Sequence, residues 1–109
     1  MTLRPGPDPR GVLAMMADPT RCRLLEELAT GGAATATTLA ARLPVTRQAV
    51  VKHLGVLARA GLVTGSREGR EVRYAVHTGP LASAADWLAG LAAEWDQRLA
   101  AIKRIAESG

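Results

Sequence analysis

The segment 46–60 carries the side chains whose types and spacing best suit contact with a charged partner. In a helix of about 3.6 residues per turn, Val50, Leu54 and Leu57 share one face, which a hydrophobic core would bury. The opposite face collects polar and basic side chains, one valine, and one small residue that allows close approach: Arg47, Gln48, Val51, Lys52, Gly55 and Arg59.

These side chains match the donor and acceptor pattern of DNA. Glutamine can pair bidentately with adenine, arginine can pair with guanine, and Val51 can meet the methyl group of thymine. Lys52 and Arg59 suit phosphates, which position a helix on the duplex without specifying its sequence. The alternative is that any exposed helix face is polar. DNA reading is favoured because this helix follows a turn and precedes a basic hairpin.

The segment 66–71 places two guanidinium groups at the tip of that predicted hairpin. Arg67 and Arg70 can lie along a DNA backbone or enter a narrow minor groove. Glu68 and Glu71 are their neighbours in the sequence. A solvated, charge-balanced turn is therefore the alternative.

The remaining reactive side chains do not assemble a metal site or a catalytic site within one chain. A single cysteine, Cys22, excludes an internal disulfide and a multi-thiolate metal site. His53 and His77 are 24 positions apart on different predicted elements, and no glycine-rich phosphate-binding loop is present. We therefore predict no enzyme, no cofactor and no metal. A dimer that pools histidine, cysteine and carboxylate ligands stays open as an alternative.

The composition favours a small helical domain with a polyanionic partner. The chain has 109 residues, enough for one domain, and contains 21 Ala and 14 Leu but no Phe. Its 14 Lys and Arg against 10 Asp and Glu give a formal net charge of +4, which favours nucleic acid as a partner. The alternative is that the 12 arginines reflect coding bias and mostly lie on solvated faces.

Cap residues, prolines and glycines divide the chain into short elements. Asp18 before Pro19 marks a helix start, Pro44 and Thr46 mark a turn with a second start, and Gly61 marks a helix end. The predicted order is an extended, flexible segment at 1–9, helices at 10–17, 19–29, 37–42 and 47–60, strands at 62–64 and 72–76 with a protruding tip at 65–71, and a long helix from 79 to about 106.

This order describes a winged helix-turn-helix. We predict a mainly α fold with one small β-hairpin, called the wing below, in a single DNA-binding and dimerisation domain at 10–109. The early apolar run at 12–17 is too short for a signal peptide or a membrane span. A cytoplasmic, nucleoid-associated protein without a membrane partner is therefore expected.

Three stretches resemble the ArsR family of bacterial winged-helix repressors. They are Ala-Asp-Pro-Thr-Arg at 17–21, Thr-Arg-Gln-Ala-Val-Val-Lys-His-Leu at 46–54 and Ala-Gly-Leu-Val at 60–63. The resemblance covers about 10–106 and implies a homodimer that binds a palindromic operator, represses nearby genes and often releases DNA when an effector binds. By position it implies DNA contacts from Thr46, Arg47, Gln48, Val51, Lys52 and His53 on the helix and from Arg67 and Arg70 on the wing.

The chain departs from the metal-sensing members that it resembles. Some of those members carry a cysteine pair on the helix before the turn, whereas here that helix reads Thr-Thr-Leu-Ala-Ala-Arg at 37–42. Others use His and carboxylate ligands on the last helix, which here contains no His. The closer resemblance is to the branch with two tryptophans on the last helix, here Trp87 and Trp95. A metal effector is not expected, and a small-molecule effector is left open.

The last predicted helix carries an apolar stripe longer than one small domain needs. Part of the stripe should meet the first helix, and the rest is best buried against a second copy, which would set two recognition helices about 34 Å apart. The predicted dimer interface comprises Leu13, Met16, Leu81, Trp87, Leu88, Leu91, Trp95, Leu99 and Ile102. The alternative is a stripe covered only within one chain.

Two other functions compete with DNA recognition. A winged helix can serve only as a protein-interaction module, which predicts weak DNA binding that is indifferent to sequence. A thiol switch through Cys22 is the other, but this cysteine shares its predicted inward stripe with Leu25 and Leu28, and buried cysteines are usually inert.

Overall fold

The computed structural model describes residues 8–108 and follows the predicted order with one added strand. The helices are α1 (Pro9–Met15), α2 (Pro19–Gly31), α3 (Ala36–Arg42), α4 (Arg47–Arg59) and α5 (Thr78–Ser108), and the strands are β1 (Ala34–Thr35), β2 (Val63–Glu68) and β3 (Glu71–Val76). Of the segment predicted as flexible at 1–9, residues 1–7 lie outside the described part, and Pro9 already belongs to α1. The mainly α fold with a small hairpin is confirmed.

Side-chain caps begin the helices at the positions that the sequence marks. Asp18 accepts hydrogen bonds from the amides of Thr20 and Arg21 at 2.8 and 3.2 Å, and Pro19 takes the first helical position. Such caps satisfy amides that have no partner inside the helix. Because Arg21 also donates from Nε to the carbonyl of Met15 at 2.9 Å, one acid–base pair organises the end of α1 and the start of α2.

We expect the Asp18 cap to make the stability of the fold depend on pH below about 4. The amide of Arg21, and then that of Thr20, stabilise the carboxylate and hold the pKa of Asp18 below its usual 3.8. Since the pKa is lowered in the folded state, the contribution is complete above 3.8 and is lost as the pH falls through the folded-state value. Thermal melts of the protein and of Asp18→Ala measure it. The variant should melt lower at neutral pH and lose less on acidification, whereas equal acid losses would contradict the assignment.

The hydrophobic core lies between the helices α2, α3 and α4 and the base of the sheet. Its largest fully buried side chains are Leu24, Leu39, Val50, Leu54, Leu57, Leu62 and Val63. On α2 the buried residues are Leu24, Leu25 and Leu28, whereas Cys22, predicted on the inward stripe, is only half-buried. Its Sγ donates to the carbonyl of Met16 at 3.0 Å, because the first turn of α2 packs against the end of α1 instead of entering the core.

The sheet has three antiparallel strands in the order β1-β3-β2, whereas the sequence predicts a hairpin of two. β1 is only two residues long and is too short for an alternation that a sequence pattern could reveal. β2 and β3 pair along all six residues of each strand and so extend into the predicted tip at 65–71. The turn itself is Gly69, with φ +63°, and Arg70. The sequence does not reveal this outer pairing. Both faces of the outer hairpin are solvated, so its residues do not alternate between apolar and polar.

The long helix α5 extends well beyond the rest of the fold. The Cα radius of gyration is 19.0 Å, where about 13 Å is typical of a compact chain of about 100 residues. α1 packs against the first part of α5, where Pro80 and Ala84 are buried. From there to Ser108, α5 has no buried residue. None of the helices within 8–108 combines the length and apolar character needed to cross a bilayer.

Candidate nucleic-acid interface

The helix α4 has one face in the core and the other in solvent. Val50, Leu54 and Leu57 are fully buried, as their spacing predicts. The hydroxyl of Thr46 accepts a hydrogen bond from the amide of Ala49 at 3.1 Å and caps the helix. Thr46 therefore starts α4, and its hydroxyl can still donate one bond to a partner.

The solvent face of α4 brings together most of the side chains predicted to contact DNA. Val51 keeps 40% of its surface exposed between polar neighbours, and His53 is half-buried at the flank of the helix. The exposed members of the predicted set are Arg47, Gln48, Val51, Lys52 and Arg59. Two amide or ammonium groups and two guanidinium groups thus share one surface with an apolar side chain.

A side chain from the last turn of α4 lies beside Gly55. The Nη1 atom of Arg59 lies 3.6 Å from the point where a Cβ on Gly55 would stand. This is an ordinary van der Waals distance, so the guanidinium of Arg59 lies against Gly55 without requiring a glycine there, and the close approach of DNA predicted at Gly55 stays a prediction. Arg59 would hold this position before it contacts a phosphate.

The helix α3 holds the first residue of α4 in place. Nε of Arg47 donates to Oγ1 of Thr37 at 3.0 Å. Sequence analysis assigned no role to Thr37, because ten residues separate the two side chains and only the packing of α3 against α4 brings them together. Arg47 is thus oriented by a neighbouring helix before any partner arrives.

The wing presents different residues on its two faces. Arg67 pairs with Val72 in the β2–β3 register, and alternate residues share a face. Glu68 and Arg73 lie on the other face, where Nε of Arg73 donates to Oε2 of Glu68 at 3.1 Å and Nη1 donates to the carbonyl of Ala33 at 3.3 Å. Arg73, which no sequence pattern indicated, therefore pairs with Glu68. Glu68 is one of the two carboxylates that would balance Arg67 and Arg70 if the tip were only a solvated turn.

A cleft of about 260 Å³ lies between α4 and the wing. Residues from β1, α3, α4 and the wing line it: Thr35, Ala36, Thr37, Arg47, Val51, Arg70, Glu71, Val72 and Tyr74. Two guanidinium groups and one carboxylate thus border a partly apolar space. Neither the extent of this cleft nor its lining follows from the sequence, since it depends on how the wing sits against α3 and α4.

The basic side chains divide into those that are paired within the protein and those that are not. Arg10, Arg21, Arg42, Arg73 and Lys103 form ion pairs with carboxylates at N–O distances between 3.1 and 4.0 Å. Over the described range 8–108, no such pair involves the five cations predicted to contact DNA, which are Arg47, Lys52, Arg59, Arg67 and Arg70. Their charges are available to phosphates.

His77 and Cys22 have local structural contacts. Nδ1 of His77 lies 3.1 Å from the carbonyl oxygen of Gly61, at the junction of β3 and α5. Cys22 contacts the end of α1, and His53 lies on α4. Across the part of the chain that the structure describes, no three His, Cys, Asp or Glu side chains lie together where they could hold a metal ion.

The residues predicted to form a dimer interface fall into two groups. Met16 and Leu81 pack against the core of their own chain, and Leu13 is half-buried. The other six lie on α5 beyond Ala84 and are exposed, together with Ile105: Trp87, Leu88, Leu91, Trp95, Leu99 and Ile102. A continuous apolar stripe therefore remains in solvent along the second part of α5.

Comparisons with known proteins point to one class. A helix-turn-helix domain model matches residues 16–66. The HTH-type transcriptional regulator CmtR of Mycobacterium tuberculosis is 48% identical over 69 residues, which are 63% of this chain and 58% of that protein. The transcriptional repressor SdpR of Bacillus subtilis is 29% identical over 77 residues, which are 71% of this chain and 84% of SdpR. The chain thus spans less than two thirds of the length of CmtR.

Solved structures share the architecture over nearly the whole chain. An ArsR-like transcriptional regulator from Rhodococcus sp. RHA1 is 46% identical and superposes with a TM-score of 0.81, over 90% of this chain and 92% of that one. The similarity thus includes the wing and much of α5 as well as the region that the domain model matches.

Proposed function

This chain belongs to the ArsR-like family of helix-turn-helix transcriptional regulators, and we propose that it acts as a homodimeric repressor of a palindromic operator in double-stranded DNA. The family is one of regulators, not of enzymes. The proposal therefore concerns how the chain binds DNA, how two copies assemble, and what the complex does to nearby genes.

One observation carries the proposal: five cations on α4 and the wing, for which residues 8–108 show no ion pair, accompany a helix face that can read bases. Gln48 and Val51 lie on that face and are suited to adenine and to the thymine methyl group. The flanking cations are suited to phosphates, which give affinity and position the helix but carry no sequence information. This arrangement is what a sequence-specific reader of duplex DNA requires.

The remaining predicted contacts take secondary roles in this proposal. Lys52 and Arg59 hold phosphates beside α4, and half-buried His53 can add one contact at its edge. Arg67 and Arg70 extend the positive surface along the wing toward the backbone or the minor groove. Thr46 adds a hydroxyl at the start of α4.

The apolar stripe of α5 supports a homodimer. Its exposed side chains run from Trp87 to Ile105, a rise of about 27 Å along a helix. Exposed apolar patches of this kind mark interaction surfaces, and a second identical stripe is the partner whose chemistry matches along the whole length. A two-fold axis through α5 would present two recognition helices to two half-sites.

The charges along α5 favour an antiparallel arrangement of the two stripes. Three acidic side chains of α5, Asp86, Glu94 and Asp96, precede the basic side chains Arg98, Lys103 and Arg104, and the remaining acidic side chain, Glu107, is paired with Lys103 at 4.0 Å. In an antiparallel pair the acidic part of each helix faces the basic part of the other, whereas a parallel pair would align like charges. The guanidinium of Arg98 lies 5.5 Å from the centroid of the Trp95 ring, near the middle of the stripe.

Selection of bound fragments from the source genome tests the proposal directly. We expect a palindrome whose half-sites are centred about one helical turn, about 34 Å, apart. Titrations of the selected duplex should show affinity that falls steeply with salt, with each phosphate contact contributing about −0.9 to the log–log slope. Binding that is weak and equal on operator and scrambled duplexes would instead favour the protein-interaction module.

We expect metal ions to leave DNA affinity unchanged. Zinc, cadmium and arsenite, each added at one equivalent per chain, should not shift the operator binding curve, because the described residues gather no metal-ligand cluster. The control is the same titration in the presence of a chelator. A tenfold release by any of them would show that the dimer pools ligands from both chains.

A repressor that binds the chromosome works in the cytoplasm, in association with the nucleoid.

A screen that measures release of the operator would identify a small-molecule effector. The thiol switch has its own readout, since it predicts that Cys22→Ser removes any loss of operator affinity on oxidation.

A further inference from the structure

We propose that the cleft between α4 and the wing is the seat of one deoxyribose-phosphate unit, and that Thr37 is a positioning residue that directs Arg47 at its phosphate. This inference rests on the proposed DNA-binding function and adds to it a defined subsite. It makes Arg47 the ligand of one defined phosphate.

The location of the cleft follows from the grooves of the duplex. A recognition helix occupies the major groove and a wing approaches the adjacent minor groove or its backbone. One sugar–phosphate strand always separates these two grooves. Because α4 forms one wall of the cleft and β3 forms the other, a wing placed in this way would bring the strand between the grooves into the cleft.

The hydrogen bond from Arg47 to Thr37 prepares the guanidinium for this task. Nε is occupied by Oγ1 of Thr37 at 3.0 Å, and the two Nη groups remain as donors. Paired donors of this kind match the oxygens of a phosphate. The hydroxyl also restricts a long side chain before binding, and the ordering of such a side chain costs about 2- to 10-fold in affinity when it must occur on association.

The walls of the cleft suit the apolar part of the nucleotide. Val51 and Val72 line it and keep 40% and 37% of their surfaces exposed, so apolar surface is accessible on both walls. The C–H groups of deoxyribose provide a matching apolar surface. A Cβ at Gly65 would lie 3.0 Å from Cγ1 of Val72 and 3.2 Å from Cε1 of Tyr74, so the absent side chain lets this wall pack back against β2.

The charge of the cleft is positive but not fully optimised for a phosphate. Arg47 and Arg70 contribute two positive charges, and Glu71 contributes one negative charge. Within 8–108 no ion pair involves Glu71. Glu71→Gln should therefore tighten binding to operator and scrambled duplexes alike, by about 2- to 5-fold at low salt.

The central test is a double-mutant cycle on the full chain, with the selected operator and a scrambled duplex as probes. Arg47→Ala should weaken both duplexes by similar factors and reduce the salt slope by about 0.9 per subunit. Thr37→Val keeps the charge of Arg47, so it should weaken both duplexes about 2- to 10-fold with the salt slope unchanged. Thr37→Ser should restore affinity, and Thr37→Val should have no effect when added to Arg47→Ala.

A second arm locates the phosphate. Neutral methylphosphonates are placed one at a time along a half-site, and one position should weaken the wild-type protein but leave Arg47→Ala unaffected. Thr30→Val is the matched control, because Thr30 is an exposed helical threonine on α2 whose hydroxyl donates only to the carbonyl of Glu26. It should bind DNA as the wild type does, and melting curves should show that every variant is folded.

Three outcomes would overturn the inference. Arg47→Ala that changes base preference would make Arg47 a base reader. Thr37→Val that is equally harmful with and without Arg47 would act through the fold instead of through the guanidinium. Methylphosphonate effects that are identical in both proteins would place the strand elsewhere. None of these three outcomes contradicts the proposed function. A wild-type protein that shows no selective DNA binding would contradict the proposed function itself.

Discussion

Trp95→Glu should convert the proposed dimer into monomers and remove tight operator binding. The Trp95 side chain is 57% exposed in the single chain, in the middle of the apolar stripe of α5. A second copy would bury it, and burying a carboxylate among the apolar side chains of the stripe costs several kcal/mol even with Arg98 one turn away, because a charge must leave water. The two-fold axis imposes that cost twice, once in each copy. Loss of the dimer uncouples the half-sites, so operator affinity should fall to that of one domain.

Analytical ultracentrifugation measures the association state, and a melting curve measures the fold. Ala93→Glu is the matched control, because Ala93 is exposed and lies on the opposite side of α5 from Trp95, about 200° around the helix. It should remain dimeric and bind the operator. If Trp95→Glu forms a well-folded dimer with normal operator affinity, the interface does not include this tryptophan.

Gln48→Ala and Lys52→Ala should separate base reading from phosphate binding on the same helix. Loss of the Gln48 amide should reduce discrimination against a changed base pair by about 1–3 kcal/mol at one position in each half-site, with affinity for random duplexes almost intact. Loss of the Lys52 ammonium should weaken operator and random duplexes by similar factors and flatten the salt slope by about one unit per subunit.

Binding titrations on operator, single-base variants and scrambled duplexes at several salt concentrations measure both effects. Each variant serves as a control for the other, because both side chains are exposed on α4 and neither touches the buried face. Melting temperatures should therefore change little. A change of base preference in Lys52→Ala but not in Gln48→Ala would mean that α4 meets DNA in a different register. Unchanged binding in both would mean that α4 does not face DNA.

Much of the fold was predictable because its signals are local. Asp18 with Pro19, Thr46 and Gly61 mark helix ends through bonds or backbone angles within a few residues. The buried face of α4 follows from helical periodicity, since one repeat of 3 and 4 positions places Val50, Leu54 and Leu57 on one side. Two predictions were wrong where the local signal was weaker. Cys22 was placed on the inward stripe of α2 but is only half-buried. The outer part of the hairpin was assigned to a loop but pairs as two strands.

The candidate DNA-binding surface was likewise predictable in part from the sequence. The sequence determined which residue types face away from the core on α4 and on the wing, because those directions are set by periods of 3.6 and 2 along each element. Only the tertiary structure decided what each of these side chains meets. Arg47 contacts Thr37 and Arg73 reaches the carbonyl of Ala33 because the packing of α3, α4 and the sheet brings together residues that are distant in the sequence. Arg73 reaches Glu68 because β2 and β3 pair in the wing.

The long helix shows where local and tertiary information diverge. Its apolar stripe is a matter of sequence alone, since spacing of 3 and 4 residues places the side chains on one face whatever surrounds them. How much of that stripe stays uncovered is decided by the tertiary structure: α1 is only seven residues long and packs against the first turns of α5, so burial ends near Ala84. Burial depends on which surfaces meet in space, and no periodicity along one element encodes that.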